Sequence, residues 1–158
     1  MGLTSWMAAL ALVAAGAGAP NDPFVGRWVL DVTRSSYPAG ASPRAMVIEM
    51  ESTGNGVHYR SDTTDANDNR LHAEYTASYD GNQALVVGGR GMMLPVFLRR
   101  IDSRTVNASY TKGLVVVATS RRVVSEDGRE MTITTASKDA LNKGVTTVAV
   151  YCRSLGVE

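Results

Sequence analysis

After residue 24, no stretch of this chain carries apolar residues at the spacing of three and four positions that an amphipathic helix needs. The sequence instead consists of short runs rich in β-branched and aromatic residues, separated by Gly, Asn, Asp and Ser. Such runs are typical of β-strands, and the residues between them are typical of tight turns. The chain is therefore predicted to be all-β, with ten strands at 28–32, 44–51, 57–63, 70–79, 83–87, 96–101, 105–111, 114–125, 130–136 and 146–152.

The links between the predicted strands are mostly short. Links such as 52–56, 112–113 and 126–129 contain glycine and are typical of hairpins, which make consecutive strands antiparallel neighbours. Only two links are long, 33–43 and 88–95. A sandwich needs long crossings between its two sheets, whereas a closed meander needs none and hides both edge strands. The sequence therefore predicts an up-and-down antiparallel β-barrel, lipocalin-like, of about 8 to 10 strands.

Length and charge narrow the class of protein further. A chain of 158 residues buries roughly 68 to 70% of its unfolded surface, which is enough for one core or one enclosed cavity. Its apolar fraction of 44% argues against disorder. A net charge of +1 gives no attraction for a polyanion, so we expect no nucleic-acid partner. A single monomeric domain fits these values.

The first residues indicate export. Residues 7–19 read MAALALVAAGAGA, an uncharged run shorter than the roughly 20 residues of a membrane span. Ala17 and Ala19 supply a small-residue cleavage site, so 1–19 is predicted to be a signal peptide and 20–158 the mature domain. We expect a periplasmic or secreted protein with no stable membrane insertion after processing. Cys152 is the single cysteine and is expected to be a small buried hydrophobe.

The segment at the start of the first predicted strand carries a resemblance. Gly26-Arg27-Trp28 resembles the Gly-x-Trp signature of lipocalins and other calycins. In that signature the indole closes the bottom of the barrel under a basic residue from a late strand. The resemblance assigns this basic role to Arg121 or Arg122, of which only one can face inward because strand neighbours point to opposite sides. A cation–π contact of this kind contributes roughly 0.5 to 2 kcal/mol.

Longer phrases of the sequence extend this resemblance. The segments 22–28, 100–106 and 121–128 are similar to those of a group of exported bacterial lipocalin-like proteins that has no settled activity. The resemblance implies a calycin barrel and leaves the ligand unnamed.

Groups that could perform catalysis are scarce. The chain has two histidines, His58 and His72, and their spacing to the remote cysteine is not that of a zinc site, so we expect no metal and no cofactor. The two histidines with Glu74 or Asp62 form the one acid–base set that the sequence offers. They fall on the charged side of their strands, which favours a solvated outer wall. The glycine-rich 88–91 suits a lid at the barrel mouth or a simple turn. No catalytic residue is assigned.

The pairing of the strands at 57–63 and 70–79 has two acceptable registers. If Tyr59 lies opposite Ala73, His58 comes beside Glu74. A shift of two residues brings Arg60 beside Glu74 instead. Both registers match opposite charges, so the sequence leaves the choice open.

The interior face is the remaining candidate for function. Methionine adapts to irregular shapes, and a buried tyrosine brings a hydroxyl that needs a partner, so such a lining suits a small hydrophobic ligand with one or two polar groups. A barrel of this size can be hollow or filled, and the sequence is compatible with both. The candidate ligand-binding residues are Met46, Ile48, Met50, Tyr59, Leu71, Tyr75, Tyr79, Phe97 and Tyr110, and Met92 and Met93 lie beside the second long link.

The leading interpretation is an exported barrel that binds a small hydrophobic molecule without catalysis. The first alternative is a barrel-fold enzyme that acts on a small hydrophobic substrate. The second is a solid-barrel structural or interaction module. The fold alone does not choose among the three.

The first prediction concerns processing. We expect N-terminal sequencing of the protein, purified from its own host, to begin after Ala17 or Ala19, because a signal peptidase cuts after small residues. A mature protein that begins at Met1 would contradict export.

Overall fold

The computed structural model describes residues 21–85 and 95–155, which form ten β-strands. The predicted signal peptide, the glycine-rich 88–91, Met92 and Met93 lie outside this range. Within it, no helix is long and apolar enough to cross a bilayer. The strands are β1 (Gly26–Ser36), β2 (Ala45–Ser52), β3 (Gly56–Thr64), β4 (Arg70–Ser78), β5 (Asp80–Leu85), β6 (Pro95–Asp102), β7 (Thr105–Lys112), β8 (Val115–Val124), β9 (Glu130–Lys138) and β10 (Gly144–Ser154).

All ten strands belong to one antiparallel sheet that curls into a barrel. The order in the sheet is β4-β3-β2-β1-β10-β9-β8-β7-β6-β5, so neighbours in sequence are neighbours in space and the first strand pairs with the last. The open seam lies between β4 and β5, which are joined through Tyr79. Across this seam Tyr79 donates its backbone N–H to Asn55, and its carbonyl accepts from Arg100. The predicted all-β, up-and-down barrel is confirmed.

The alternation of side chains along each strand separates the core from the outer wall. On β3, Val57, Tyr59 and Ser61 are buried, whereas the residues between them are more exposed. The core is one cluster that receives side chains from every strand. Because one face is apolar and the other polar on each strand, a slip of one residue would expose the core, which is why the register is well defined.

Trp28 closes one end of the barrel, which we call the floor. Its side chain is completely buried, and its indole Nε1 donates to the carbonyl of Phe24 at 2.9 Å. Phe24 is equally buried and precedes β1. The floor is therefore an aromatic plug at the end of the barrel where β1 begins.

The basic residue over the indole is Arg153 of β10, with its guanidinium carbon 4.2 Å from the Trp28 ring centroid. Arg153 also donates through Nε to the carbonyl of Gly128 at 2.6 Å. Its Nη1 and Nη2 donate to the carbonyls of Val25 and Pro23, both at 2.6 Å. One planar guanidinium thus satisfies three loop carbonyls and covers the indole.

The assignment of this role to Arg121 or Arg122 is wrong. Arg121 is exposed on the outer wall, and Arg122 is buried against Tyr59. As predicted, only one of the two faces inward. The Gly-x-Trp motif cannot distinguish the arginines of late strands, because the choice depends on which strand pairs with β1, and that strand is β10.

Gly26 of the motif is explained by the same arginine. Its φ of +132° lies outside the range that side-chain-bearing residues adopt readily, and a Cβ there would lie 2.5 Å from Nη1 of Arg153. Glycine is needed because the guanidinium must pass directly over the backbone.

A second arginine joins the seam to the floor. Arg100 of β6 lies 4.1 Å from the Tyr79 ring centroid and 5.5 Å from that of Phe24. Its Nη2 donates to Asp22 at 2.7 Å, and its Nη1 donates to the carbonyl of Ser103 at 3.1 Å. The segment before β1 is therefore held to the opposite side of the barrel.

Two further expectations are settled by the strand registers. Tyr59 lies opposite Tyr75 and Arg60 opposite Glu74, so of the two registers left open the shifted one is observed. Cys152 is exposed, contrary to the expected burial, because Tyr151 beside it faces inward. The Cys152 thiol accepts a hydrogen bond from Arg34 at 3.1 Å.

We expect Trp28→Ala to lower the free energy of unfolding by about 3 to 5 kcal/mol, because the variant leaves a large cavity in the floor. Urea unfolding provides the measurement. Arg121→Ala is the control, and as a surface change it should stay within about 0.5 kcal/mol of the wild type. A near-neutral Trp28→Ala would show that the floor does not depend on the indole.

Candidate functional site

A charged side chain lies in the middle of the apolar interior. Arg122 of β8 is only 3% exposed. Its Nη2 donates to the hydroxyl of Tyr110 at 2.9 Å, and its guanidinium carbon lies 5.3 Å from the ring centroid of Tyr59. Tyr59 in turn stacks on Tyr75, with ring centroids 4.6 Å apart and planes 11° from parallel. One arginine and three tyrosines thus form a polar cluster, here called the Arg122 cluster.

Three buried polar atoms of this part of the interior have no hydrogen-bond partner among the residues that the structure describes. They are Nε of Arg122, the hydroxyl of Tyr75 and the hydroxyl of Ser120. Ser120 precedes Arg122 by two positions on β8 and is only 5% exposed. Buried polar groups are almost always paired, so three unpaired groups in one interior, two on β8 and one on β4, need an explanation. All three can donate a hydrogen bond, so this part of the interior is suited to a hydrogen-bond acceptor.

The charges of the cluster do not cancel. Burial raises the pKa values of Tyr59 and Tyr75 above the ordinary value of 10.0, so both phenols are neutral at physiological pH. A guanidinium does not lose its proton in a protein. Within residues 21–85 and 95–155 no carboxylate forms an ion pair with Arg122. The cluster therefore carries a net positive charge in an apolar surrounding.

Small side chains share the interior with this cluster. Five strands present alanine on their inner face, whereas the floor holds the largest buried side chains. An alanine at an inward position fills less of the barrel than a leucine or isoleucine would at the same position. The inward alanines are Ala73, Ala77, Ala84, Ala108, Ala118 and Ala149.

Most of the predicted ligand-binding residues face the interior. Leu71 lies on the same, inward side of β4 as Tyr75. It is nevertheless 38% exposed, because it lies at the rim of the barrel near the start of the strand. Tyr79 packs beneath Arg100 at the floor. The inward residues are Met46, Ile48, Met50, Tyr59, Tyr75 and Tyr110.

The expectation that Phe97 lines the interior is wrong. Val96 and Leu98 on either side of it are fully buried, so Phe97 points to the outer wall. There it borders a surface cleft with Arg99 and Asn107. A run of apolar residues hides the period of two, so the pattern alone does not indicate which side of β6 Phe97 faces.

The two histidines lie on the outer wall, as expected. His58 contacts Glu74 at 3.0 Å, and His72 lies 2.9 Å from Asp62 and 3.5 Å from Glu74. The hydrogen bond that His72 donates to the carboxylate of Asp62 raises the pKa of His72 above 6.5. Because the folded pKa is the higher one, the pair contributes stability below about pH 6.5 and loses it as the pH rises through the raised pKa.

No group of three His, Cys, Asp or Glu side chains within the described ranges is placed to hold a metal ion.

Sequence reasoning missed the roles of Arg122 and Arg153. The Gly-x-Trp resemblance assigns to Arg122 only a place over the indole, and it assigns no role to Arg153. The alternation on β8 gives a signal for Arg122, because it shares the phase of Ala118, Ser120 and Val124. The alternation of a strand therefore shows when an arginine occupies an inward position, and a charged residue at such a position indicates a functional role.

These features define a class of protein by fold: a ten-stranded, up-and-down antiparallel β-barrel. Comparison with solved structures agrees. The zebrafish ileal bile acid-binding protein, solved in complex with cholic acid, superposes with a TM-score of 0.59, and the match covers 84% of this chain and 99% of that one. The sequences are 10% identical, so the likeness concerns the fold. No protein-family model and no curated protein sequence matches this chain.

We expect Arg122→Met to leave the free energy of unfolding unchanged or raise it by about 1 kcal/mol or more, because an apolar side chain removes a buried, uncompensated charge. Arg153→Met is the matched variant. It should lower stability by about 3 kcal/mol, because three loop carbonyls lose their donors. Urea unfolding distinguishes the two, and equal destabilisation by both would contradict the view that the Arg122 charge is uncompensated.

Proposed function

We propose that this protein is an exported, monomeric, lipocalin-like barrel that binds a small apolar molecule carrying one acidic group. The acidic group sits on the Arg122 cluster and the apolar body lies among the inward methionine, alanine and tyrosine side chains. The observation that carries the proposal is the buried guanidinium of Arg122, which has no carboxylate partner among the residues described. Export is supported by the sequence of residues 7–19.

The energetics support an anionic group at this place. Burying a charge without a counter-ion costs several kcal/mol, and a bound anion recovers that cost where it forms hydrogen bonds. Charge-assisted bonds to a carboxylate are about twice as strong as neutral ones. Nε of Arg122, with the hydroxyls of Tyr75 and Ser120, supplies donors that have no other partner in the described part of the chain.

The apolar part of the ligand is supported by the rest of the interior. Met46 and the inward alanines offer adaptable and small surfaces. The hydroxyl of Tyr151 already donates to the sulfur of Met46 at 3.2 Å, so it does not need a hydrogen-bond acceptor on the ligand. The bile acid-binding protein of similar fold was solved with cholic acid, and a ligand of that type combines an apolar body with one carboxylate.

The test compares two ligands that differ only in the charged group. Dodecanoic acid and dodecanol are titrated into the delipidated protein by isothermal calorimetry. We expect the acid to bind tighter than the alcohol by about 1.5 to 3 kcal/mol, the value of a hydrogen bond to a charged group. Arg122→Gln should abolish this difference. Arg121→Gln removes the neighbouring charge from the outer wall and should preserve it.

Native mass spectrometry of the protein purified from its own host detects a copurified ligand by its mass, so no probe molecule has to be chosen in advance. We expect a bound acidic molecule that is lost on Tyr75→Ala. His58→Ala and His72→Ala alter only the outer wall and should leave it bound. The proposal fails if acid and alcohol bind equally well, or if neither binds and no molecule copurifies.

A further inference from the structure

The end of the barrel opposite the floor carries exposed apolar side chains. Leu114, in the turn between β7 and β8, is fully exposed, and Val115 and Val116 that follow it are 65% and 55% exposed. Leu141, in the turn between β9 and β10, is 76% exposed. Single exposed apolar residues are common, but several large ones on adjacent turns indicate an interaction site.

The two turns lie side by side. Strands β8 and β9 are paired, with Ala118 opposite Ser137, so their outer ends meet at this end of the barrel. A cleft of about 540 Å³ runs between them and is lined by residues of both strands, including Val117 and Lys138. The exposed leucines and valines therefore belong to one surface.

Neither leucine is needed for the turn in which it lies. The β7–β8 turn uses Gly113, whose φ is +61°. The β9–β10 turn uses Asp139, whose side chain accepts from the backbone of Leu141 and Lys143, and Asn142, whose φ is +62°. Glycine, aspartate and asparagine are the residues that such turns favour. The leucines add exposed apolar surface without a local structural reason.

All the lysines of the chain surround this apolar surface. The sequence has three, Lys112, Lys138 and Lys143, and each is exposed on one of these two hairpins. Between Asp102 and Glu126 the sequence has no acidic residue. Within the turns of these two hairpins Asp139 is the one carboxylate, and its Oδ1 accepts hydrogen bonds from backbone N–H groups. The surface, which we call the leucine–lysine end, therefore combines apolar tips with a rim of positive charge.

We propose that the leucine–lysine end docks on the surface of a membrane that contains anionic lipids. Leu114 and Leu141 enter the interface between headgroups and acyl chains, and the lysines contact the headgroups. Buried apolar area and attraction to anionic lipid are the two contributions that hold peripheral proteins on a bilayer. A second copy of this chain is a less suitable occupant, because its own lysines would face these lysines across the interface.

Docking in this way has a consequence for orientation. The floor, with Trp28 and Arg153, faces away from the bilayer, and the opposite end of the barrel faces the lipid. The proposal does not depend on ligand binding in the interior, because it uses only side chains of the outer turns.

The experiment is cosedimentation of the full mature protein with vesicles. One set contains phosphatidylcholine and phosphatidylglycerol, and the other phosphatidylcholine alone. We expect binding to the mixed vesicles that weakens with added salt. The double variant Leu114→Ser with Leu141→Ser should lower the partition coefficient by about tenfold or more for each leucine. Circular dichroism and urea unfolding check that the variant is folded.

A matched control changes exposed apolar residues at the floor. Leu155 is 83% exposed and Ile101 is 49% exposed, and their double serine variant should bind vesicles like the wild type.

The charged rim is tested separately. Changing the three lysines to glutamine should lower partition into the mixed vesicles by about a hundredfold, from about 1 kcal/mol per lysine near an anionic surface. The control changes Arg104, Arg121 and Arg129, which are exposed away from this end, to glutamine and should have a much smaller effect.

Three results would overturn the proposal: no binding to mixed vesicles, an equal loss of binding in the floor variant, or sedimentation velocity showing a dimer that Leu114→Ser dissociates. The last result would assign the surface to a second copy. If the protein binds vesicles but shows no preference for the acidic ligand, the proposed function is wrong and the membrane-docking proposal is retained.

Discussion

The barrel depends on the joining of its first and last strands, and Arg153 holds that junction at the floor. A meander of ten strands closes only if β1 pairs with β10, which lies more than a hundred residues further along the chain. The guanidinium of Arg153 donates to carbonyls on both sides of the junction and lies over Trp28. Because Gly26 has no side chain, the arginine can pass close to the backbone. The conformation of the Gly-x-Trp segment is thus a consequence of the closure.

Arg122 and Arg153, both of which contact an aromatic ring, have opposite energetic roles. Arg153 is satisfied by fixed carbonyls and stabilises the fold. Arg122 keeps an unpaired Nε and faces neutral tyrosines, so its charge costs stability in the unliganded protein. Where the rest of a structure satisfies its buried polar groups, a buried polar atom without a hydrogen-bond partner is expected at a functional site. This contrast within one chain is the strongest physical support for an acidic ligand in the interior.

The two ends of the barrel also differ in chemistry. The floor is closed by aromatic rings and by arginines that are paired with carbonyls or with Asp22. The opposite end shows exposed leucines and valines with lysines around them. If both proposals hold, the protein takes up or releases an apolar acid while that end rests on lipid, and the floor carries no part of the exchange. The asymmetry arises because only the floor has to close the meander.

The sequence by itself determined the ten strands, the meander and the up-and-down barrel, because a period of two and the turn residues are local properties of the chain. Tertiary structure decided which arginine covers Trp28, which register joins β3 to β4, and which way Phe97 and Cys152 point. Charges match in either register, with Glu74 beside His58 or beside Arg60, so local complementarity has no preference. The strand that completes the barrel and the side chains that meet inside it depend on residues far apart in sequence. Only closure of the sheet brings them together, and it brings Arg122 among Tyr59, Tyr75 and Tyr110 in the same step.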